Sequence, residues 1–326
     1  MENNHVIEAI DLSKTYLIRK KEQGIVGSIK ALLKNKFNEK EAVKNISFTI
    51  DPGEMIGFIG PNGAGKTTVL KMLSGILFPT SGKVKVLGFN PSDRKSGFLK
   101  KISLVMGQKN QLIWDLPPID TFHLNKEIYE INDDEFDKNL KELIRIFEIG
   151  DILDQQVRQL SLGQRMKCEL VASLLHHPEI LFLDEPTIGL DIIIQKKIRQ
   201  FLKIVNREMK TTIILTSHYM DDVKEIAERV IVINQGSIIF DDALKSLSKR
   251  FANYKMVYLT LNKEVPKNIL SKFGHIIKYE YPEMVFKVSP EKVAETTFFV
   301  LKNLDVDDIN INEPELEDIV RALFDK

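Results

Sequence analysis

The stretch Gly60-Pro61-Asn62-Gly63-Ala64-Gly65-Lys66-Thr67-Thr68 constrains this chain more than any other part of it. It reads as a glycine, four residues, then Gly-Lys-Thr, set between the apolar run Met55 to Gly60 and a helical pattern from Lys66 to about Gly75. Glycines let the backbone bend until several N–H groups face one phosphate, and a helix beginning near Lys66 adds a favourable partial charge. Lys66 is placed to reach β and γ phosphates, and Thr67 offers a hydroxyl to Mg²⁺, which prefers oxygen ligands. In a chain of this length the pattern arises by chance on the order of once in a hundred, and its strand and helix flanks lower that further.

The rest of the chain supplies the architecture that such a loop needs. Short β-branched runs at 55–60, 102–106, 180–184, 212–216 and 229–233 alternate with longer periodic segments, the pattern of βαβ units and a largely parallel sheet. Helices are expected from Lys66 to about Gly75, Phe136 to Phe147, Gly163 to His176, Asp191 to Arg207 and Met220 to Ala227. Asp184-Glu185 then falls at the carboxyl end of a strand, where a doubly wound sheet places its ligand. Alone, the pair reads as a cap or a solvated corner. Beside a phosphate loop, Asp184 is expected to hold Mg²⁺ through its water shell, and Glu185 to orient and polarise the attacking water.

Bulk properties exclude several classes. The 326 residues carry 46 Lys plus Arg and 46 Asp plus Glu, so no global charge calls for nucleic acid or an anionic surface. Cys168 is the single cysteine, and the N-terminus lacks the apolar core of a signal peptide, so the chain reads as intracellular. Apolar runs such as Ile180 to Leu183 fall far short of the roughly 20 residues that cross a bilayer, so membrane contact requires a partner subunit. Two segments stand outside the α/β plan. An insertion over about 17–42 carries seven basic residues against three acidic ones. Its Ile25, Val26, Ile29, Leu32, Leu33 and Phe37 are at helical spacing, fit either for a membrane or partner surface or for covering the protein's own core. Beyond residue 240, a helix LKSLSKRF, an alternating strand at 256–261 and further αβ material to Lys326 read as a small α+β domain.

Between the two site elements stands Leu160-Ser161-Leu162-Gly163-Gln164, which resembles the signature Leu-Ser-Gly-Gly-Gln of ATP-binding cassette (ABC) proteins with one departure, Leu162. Gln108 after the 102–106 strand, Asp191 in Pro186-Thr-Ile-Gly-Leu-Asp191, His218 after the 212–216 strand and Tyr16 in LSKTY complete the family's motif order over about residues 6–240. The resemblance implies a P-loop NTPase cassette over 1–240. Its sheet is mixed and mainly parallel, with an N-terminal antiparallel portion and a helical subdomain at about 108–175; the resemblance is much weaker over 241–326, which stays a small C-terminal accessory domain on its own residues. It also implies roles: Tyr16 stacking on adenine, and the loop Gly60, Pro61, Asn62, Gly63, Ala64, Gly65, Lys66, Thr67 and Thr68 on the phosphates of ATP. Gln108 would touch Mg²⁺, alongside Thr67 and Asp184, or the water near the γ-phosphate, while His218 would contact the γ-phosphate and fix Glu185. Ser161, Gly163 and Gln164 would meet ATP bound to the opposite subunit, with Asp191 coupling the two sites.

One copy of each motif calls for a dimer, homomeric or with a related ATPase, holding two ATP molecules at isologous interfaces. Details such as TIGLD and QKNQLIWDLP resemble ATPase subunits of ABC-2-type exporters, whose permeases are separately encoded. That resemblance implies a chain peripheral on the cytoplasmic face of the plasma membrane. Leu112, Trp114 and Leu116 cluster where the family docks its permease, though packing within the helical subdomain explains them equally well. The contrasting reading is a soluble ABC ATPase acting in regulation or on nucleic acid or ribosomes. It lacks a basic groove with stacking aromatics, so no nucleic acid is expected.

Overall fold

Strands that are apolar on both faces need cover on both faces, and the central sheet has it. The computed structural model describes residues 5–19, 37–107, 109–217, 219–251, 254–270 and 275–324. They fall into two units, Met1–Asp242 and Ala243–Lys326. In the first, β1 (Ile7–Arg19), β2 (Phe37–Ile50) and β4 (Ser81–Val86) form an antiparallel sheet in the order β2-β1-β4. A second sheet holds β3 (Met55–Ile59), β5 (Ile102–Met106), β6 (Ile180–Asp184), β7 (Thr212–Thr216), β8 (Arg229–Asn234) and β9 (Ser237–Ala243). Its order is β5-β6-β7-β3-β8-β9, and the pairs from β5 through β8 are parallel.

Helices α1 (Lys66–Leu73), α2 (Ser96–Leu99), α3 (Pro118–Tyr129), α4 (Asp133–Phe147), α5 (Leu162–Leu174), α6 (Ile192–Met209) and α7 (Met220–Ile226) complete this unit. Alternation along β6 splits the core in two. Phe182 points to the cluster of Phe48, Ile50, Phe58 and Leu70, shared with the antiparallel sheet and α1. Leu181 and Leu183 point to Phe147, Leu170 and Leu202 on α4, α5 and α6. Helix α4 is started by Asn132, whose side chain accepts from Glu135 N, and three acids stand in its first turn, favourably placed against the helix dipole. Helix α3 was not foreseen: it opens with Pro118 at its first position, and it buries only Pro118, Thr121 and Phe122.

The flanks of the expected insertion are strand. Leu17 pairs with Glu39 and Ile18 with Asn38, and Phe37, grouped above with a helical pattern, begins β2 opposite Arg19. The rest of the helical pattern, Ile25, Val26, Ile29, Leu32 and Leu33, lies outside the described residues.

The second unit comprises α8 (Leu244–Phe251), β10 (Lys255–Leu261), α9 (Lys267–Leu270), β11 (His275–Glu280), β12 (Glu283–Val288), α10 (Val293–Asn303), β13 (Val306–Asn312) and α11 (Leu316–Phe324). From β10 to β13 the order is βαββαβ, and the antiparallel sheet runs β11-β12-β10-β13, a split βαβ arrangement with β10 inside. Val257, Leu259, Leu261, Met284, Phe286 and Val300 form its core. Among the described residues no helix is long and apolar enough to cross a membrane.

Phe182 is fully buried on a strand with neighbours on both sides. Phe182→Ala is expected to cost about 3–5 kcal/mol, the usual range for an emptied aromatic core site, read as a lower midpoint in urea unfolding.

Candidate active site

The chain leaves β3 at Ile59 and enters α1 at Lys66, and close packing dictates the turn between them. A Cβ at Gly60 would lie 2.2 Å from the carbonyl oxygen of Ile233 on neighbouring β8. Gly65 caps α1 at φ 113°, a left-handed backbone, and a Cβ there would lie 2.4 Å from Ala42 O. The Lys66 Nζ donates to Gly60 O at 2.7 Å and Pro61 O at 3.2 Å, which holds the ammonium over the loop. Burial lowers the lysine's pKa from its ordinary value, against the opposing pull of Glu185 and Asp184.

Three strands bring the acids to this loop. The Asp184 carboxylate accepts from Thr67 Oγ1 at 3.0 and 2.9 Å and from Thr216 Oγ1, at the end of β7, at 2.7 Å. Gly107 N, just past β5, donates to Asp184 O at 2.9 Å. Glu185 takes the left-handed φ of 56°, a conformation that costs a non-glycine residue energy and must be held by its surroundings. Its N–H donates to Thr216 O at 3.1 Å and Thr216 Oγ1 at 3.2 Å.

A cleft of about 610 Å³ runs from Tyr16, Leu17, Ile18 and Lys40 at one end, past Asn62 to Thr68, to Glu185. The Lys14 Nζ lies 5.5 Å from the Tyr16 ring centroid. A smaller cleft, about 180 Å³, joins Thr67, Asp184 and Glu185 to Lys71, Met106, Gly107 and Lys109. Thr67 and Asp184 present hard oxygen donors side by side, a set that fits Mg²⁺ when phosphate and water complete its shell. Among the described residues no three His, Cys, Asp or Glu side chains could hold a metal by themselves. Gln108 and His218 lie outside the described residues, although their neighbours Gly107, Lys109, Ser217 and Tyr219 are placed.

The remaining candidates form a second group. Ser161 caps α5 in a capping box: Gln164 N donates to its Oγ at 3.2 Å, and its own N–H donates to Gln164 Oε1 at 2.9 Å. Gly163 presses on α6: a Cβ there would lie 2.9 Å from Ile194 Cγ2, closer than real Cβ contacts allow. Asp191 caps α6 through Ile194 N at 2.9 Å. Ser161, Gly163, Gln164 and Asp191 line neither cleft. Leu162 is 38% exposed, and its Cδ2 lies 3.3 Å from the place of a Cβ on Gly189. On α5, buried Glu169 accepts from Gln111 N at 2.8 Å and Leu112 N at 3.2 Å through Oε1, tying down the segment after Gln108. Burial raises its carboxyl's pKa.

Sequence reasoning missed Thr216, Glu169 and the buried polar cluster around Asp222. A hydroxyl ending a strand, or an acid inside a helix, carries no signal in sequence until its partner is known.

An α/β unit whose Gly-Lys-Thr loop lines a cleft, with acids at the adjoining strand ends, defines a nucleotide-binding ATPase domain. The ABC transporter family matches residues 43–188, and the EvrA-like ABC transporter C-terminal domain matches residues 253–312. Over 225 residues the chain is 32% identical to the ABC transporter ATP-binding protein NatA of Bacillus subtilis (strain 168), covering 69% of this chain and 91% of that protein. Over 288 residues it is 28% identical to the bacitracin transport ATP-binding protein BcrA of Bacillus licheniformis, covering 86% and 92%. A dimeric ATP-binding cassette in a post-hydrolysis state with ADP and Pi superposes with a TM-score of 0.60 at 25% identity, covering 73% of this chain and 98% of that one. The chain belongs to the ABC transporter ATP-binding proteins.

Because the Gly60 site abuts a backbone oxygen, Gly60→Ala must displace the loop. ATP binding is expected to weaken at least about tenfold, or ~1.4 kcal/mol, in a fluorescent-nucleotide titration.

Proposed function

We propose that this chain is the ATP-hydrolysing subunit of a membrane exporter and works as a dimer, each ATP held between the Gly60–Thr68 loop of one copy and the Ser161–Gln164 segment of another. The observation that carries the proposal is the separation of the two groups: Ser161, Gly163, Gln164 and Asp191 line neither cleft of their own chain. A two-fold arrangement supplies each site with what the other lacks.

Tyr16 offers its ring to adenine, and the loop N–H groups with Lys66 bind the phosphates. Thr67 and Asp184, with Gln108, would hold Mg²⁺, which would supply charge neutralisation on the phosphates. Glu185 orients the attacking water, and His218 contacts the γ-phosphate and fixes Glu185. Ser161 and Gly163, at a helix start, donate to the phosphate of the opposite ATP.

The membrane partner is a separately encoded permease, reached from the cytoplasmic face of the plasma membrane. The relative named for bacitracin transport supports this assignment. Trp114 and Leu116 are 47% and 39% exposed, with the Arg165 guanidinium 5.1 Å from the Trp114 ring, which suits a docking surface. Leu112 is not part of it, because it is buried in the core of the helical subdomain.

Glu185→Gln is expected to lower turnover by about 10²-fold or more, the contribution usual for a positioned base, and to trap an ATP-bound dimer visible by gel filtration. A strictly monomeric profile in saturating Mg-ATP counts against the dimer. Leu162→Gly, in turn, is expected to change turnover by well under about a hundredfold, or ~2.7 kcal/mol, because Ser161 and Gly163 suffice; steady-state ATPase rates check this.

A further inference from the structure

Asp222, on α7, is fully buried and lines neither cleft. Its Oδ2 accepts from Thr187 Oγ1 at 2.5 Å and from Ser217 Oγ at 2.6 Å, and its Oδ1 accepts from the Arg199 guanidinium at 2.9 Å. Ser217 Oγ in turn accepts from Tyr219 N at 2.9 Å. Thr187 stands two residues after Glu185 and four before Asp191, whereas Ser217 and Tyr219 bracket His218. From α6, Gln195 Nε2 donates to Thr187 O at 3.4 Å and Leu190 O at 3.1 Å, holding the same loop from its other side.

Taking a carboxylate and a guanidinium out of water is costly, and apolar side chains of similar volume often pack as well, so stability alone is a weak reason for such a pair. Here the carboxylate joins hydroxyls from two different loops, and each loop carries a residue of the proposed hydrolytic machinery. A displacement near 1 Å in such machinery costs about a hundredfold in rate.

We propose that Asp222 is a positioning residue for ATP hydrolysis: it clamps the loop of Glu185 and Asp191 to Ser217 and Tyr219, the sequence neighbours of His218, so that the two segments move as one piece. The proposal rests on the ATPase reading above. The test measures ATP turnover and fluorescent-nucleotide affinity of the full chain carrying Thr187→Val, Ser217→Ala or both. These variants leave the Asp222–Arg199 pair in place, and Thr187→Ser restores the hydroxyl.

Each single variant is expected to lower kcat about tenfold while KM and nucleotide affinity stay within about twofold, as for an interaction felt only in the transition state. Thr187→Ser should recover most of the loss. The double variant should be little worse than the poorer single one, since both act through one carboxylate. Unchanged kcat in both singles, a double loss equal to the product of the single losses, or a rise in KM alone overturns the clamp. A wild-type chain that hydrolyses no ATP overturns the ATPase reading and the clamp with it, whereas an active wild type with unaffected variants overturns the clamp only.

Discussion

The carboxylate of Asp184 is the interaction on which the nucleotide unit depends. It receives hydroxyls from Thr67 and Thr216 at once, while its backbone oxygen receives Gly107 N, so the ends of β5, β6 and β7 and the start of α1 converge on one residue. Parallel strands place their carboxyl ends on one side of the sheet, and the crossover helices begin there. A charge introduced at that edge is therefore met by several dipoles already fixed in place. The strained backbone of Glu185 belongs to the same arrangement, held by both the carbonyl and the hydroxyl of Thr216.

Much of this was legible in sequence because it rests on local chemistry. A Gly-Lys-Thr loop between a strand and a helix signals its own phosphate-binding turn, and the runs at 102–106, 180–184 and 212–216 became strands with the expected bounds. The start of α5 was displaced by one residue, since Ser161 and Gln164 form a capping box that makes Leu162 the first helical residue. Helix α3 escaped notice because its buried face is only three residues wide and a proline opens it. The ribbon formed by the ends of β1 and β2 also escaped. Exposed residues such as Leu17, Ile18 and Phe37 show no alternation of the kind a half-buried strand displays, and only their pairing across the ribbon reveals them.

The site's tertiary partners were not legible. Asp222 reads as one of two consecutive acids in a helix, the pattern of a solvated face, yet it lies at the centre of a buried polar knot. Leu162 reads as a departure from a glycine-rich signature, and in the structure it rests against Gly189, whose left-handed backbone bears no side chain there. Hydrogen bonds spanning more than 30 residues, such as Thr187 to Asp222, exist only once the sheet has aligned the loops.

The strand order of the C-terminal unit bears on how the chain is made. β10 emerges first but sits inside the sheet, between β12 and β13. Until synthesis reaches Val306–Asn312, one side of this apolar strand is a bare edge, open to pairing with any other extended segment. Loop-closure entropy further delays the contact, because some fifty residues separate the paired strands. In a chain made from its N-terminus, the sequence order of the strands thus leaves the central strand of this sheet exposed longer than its place inside the sheet suggests.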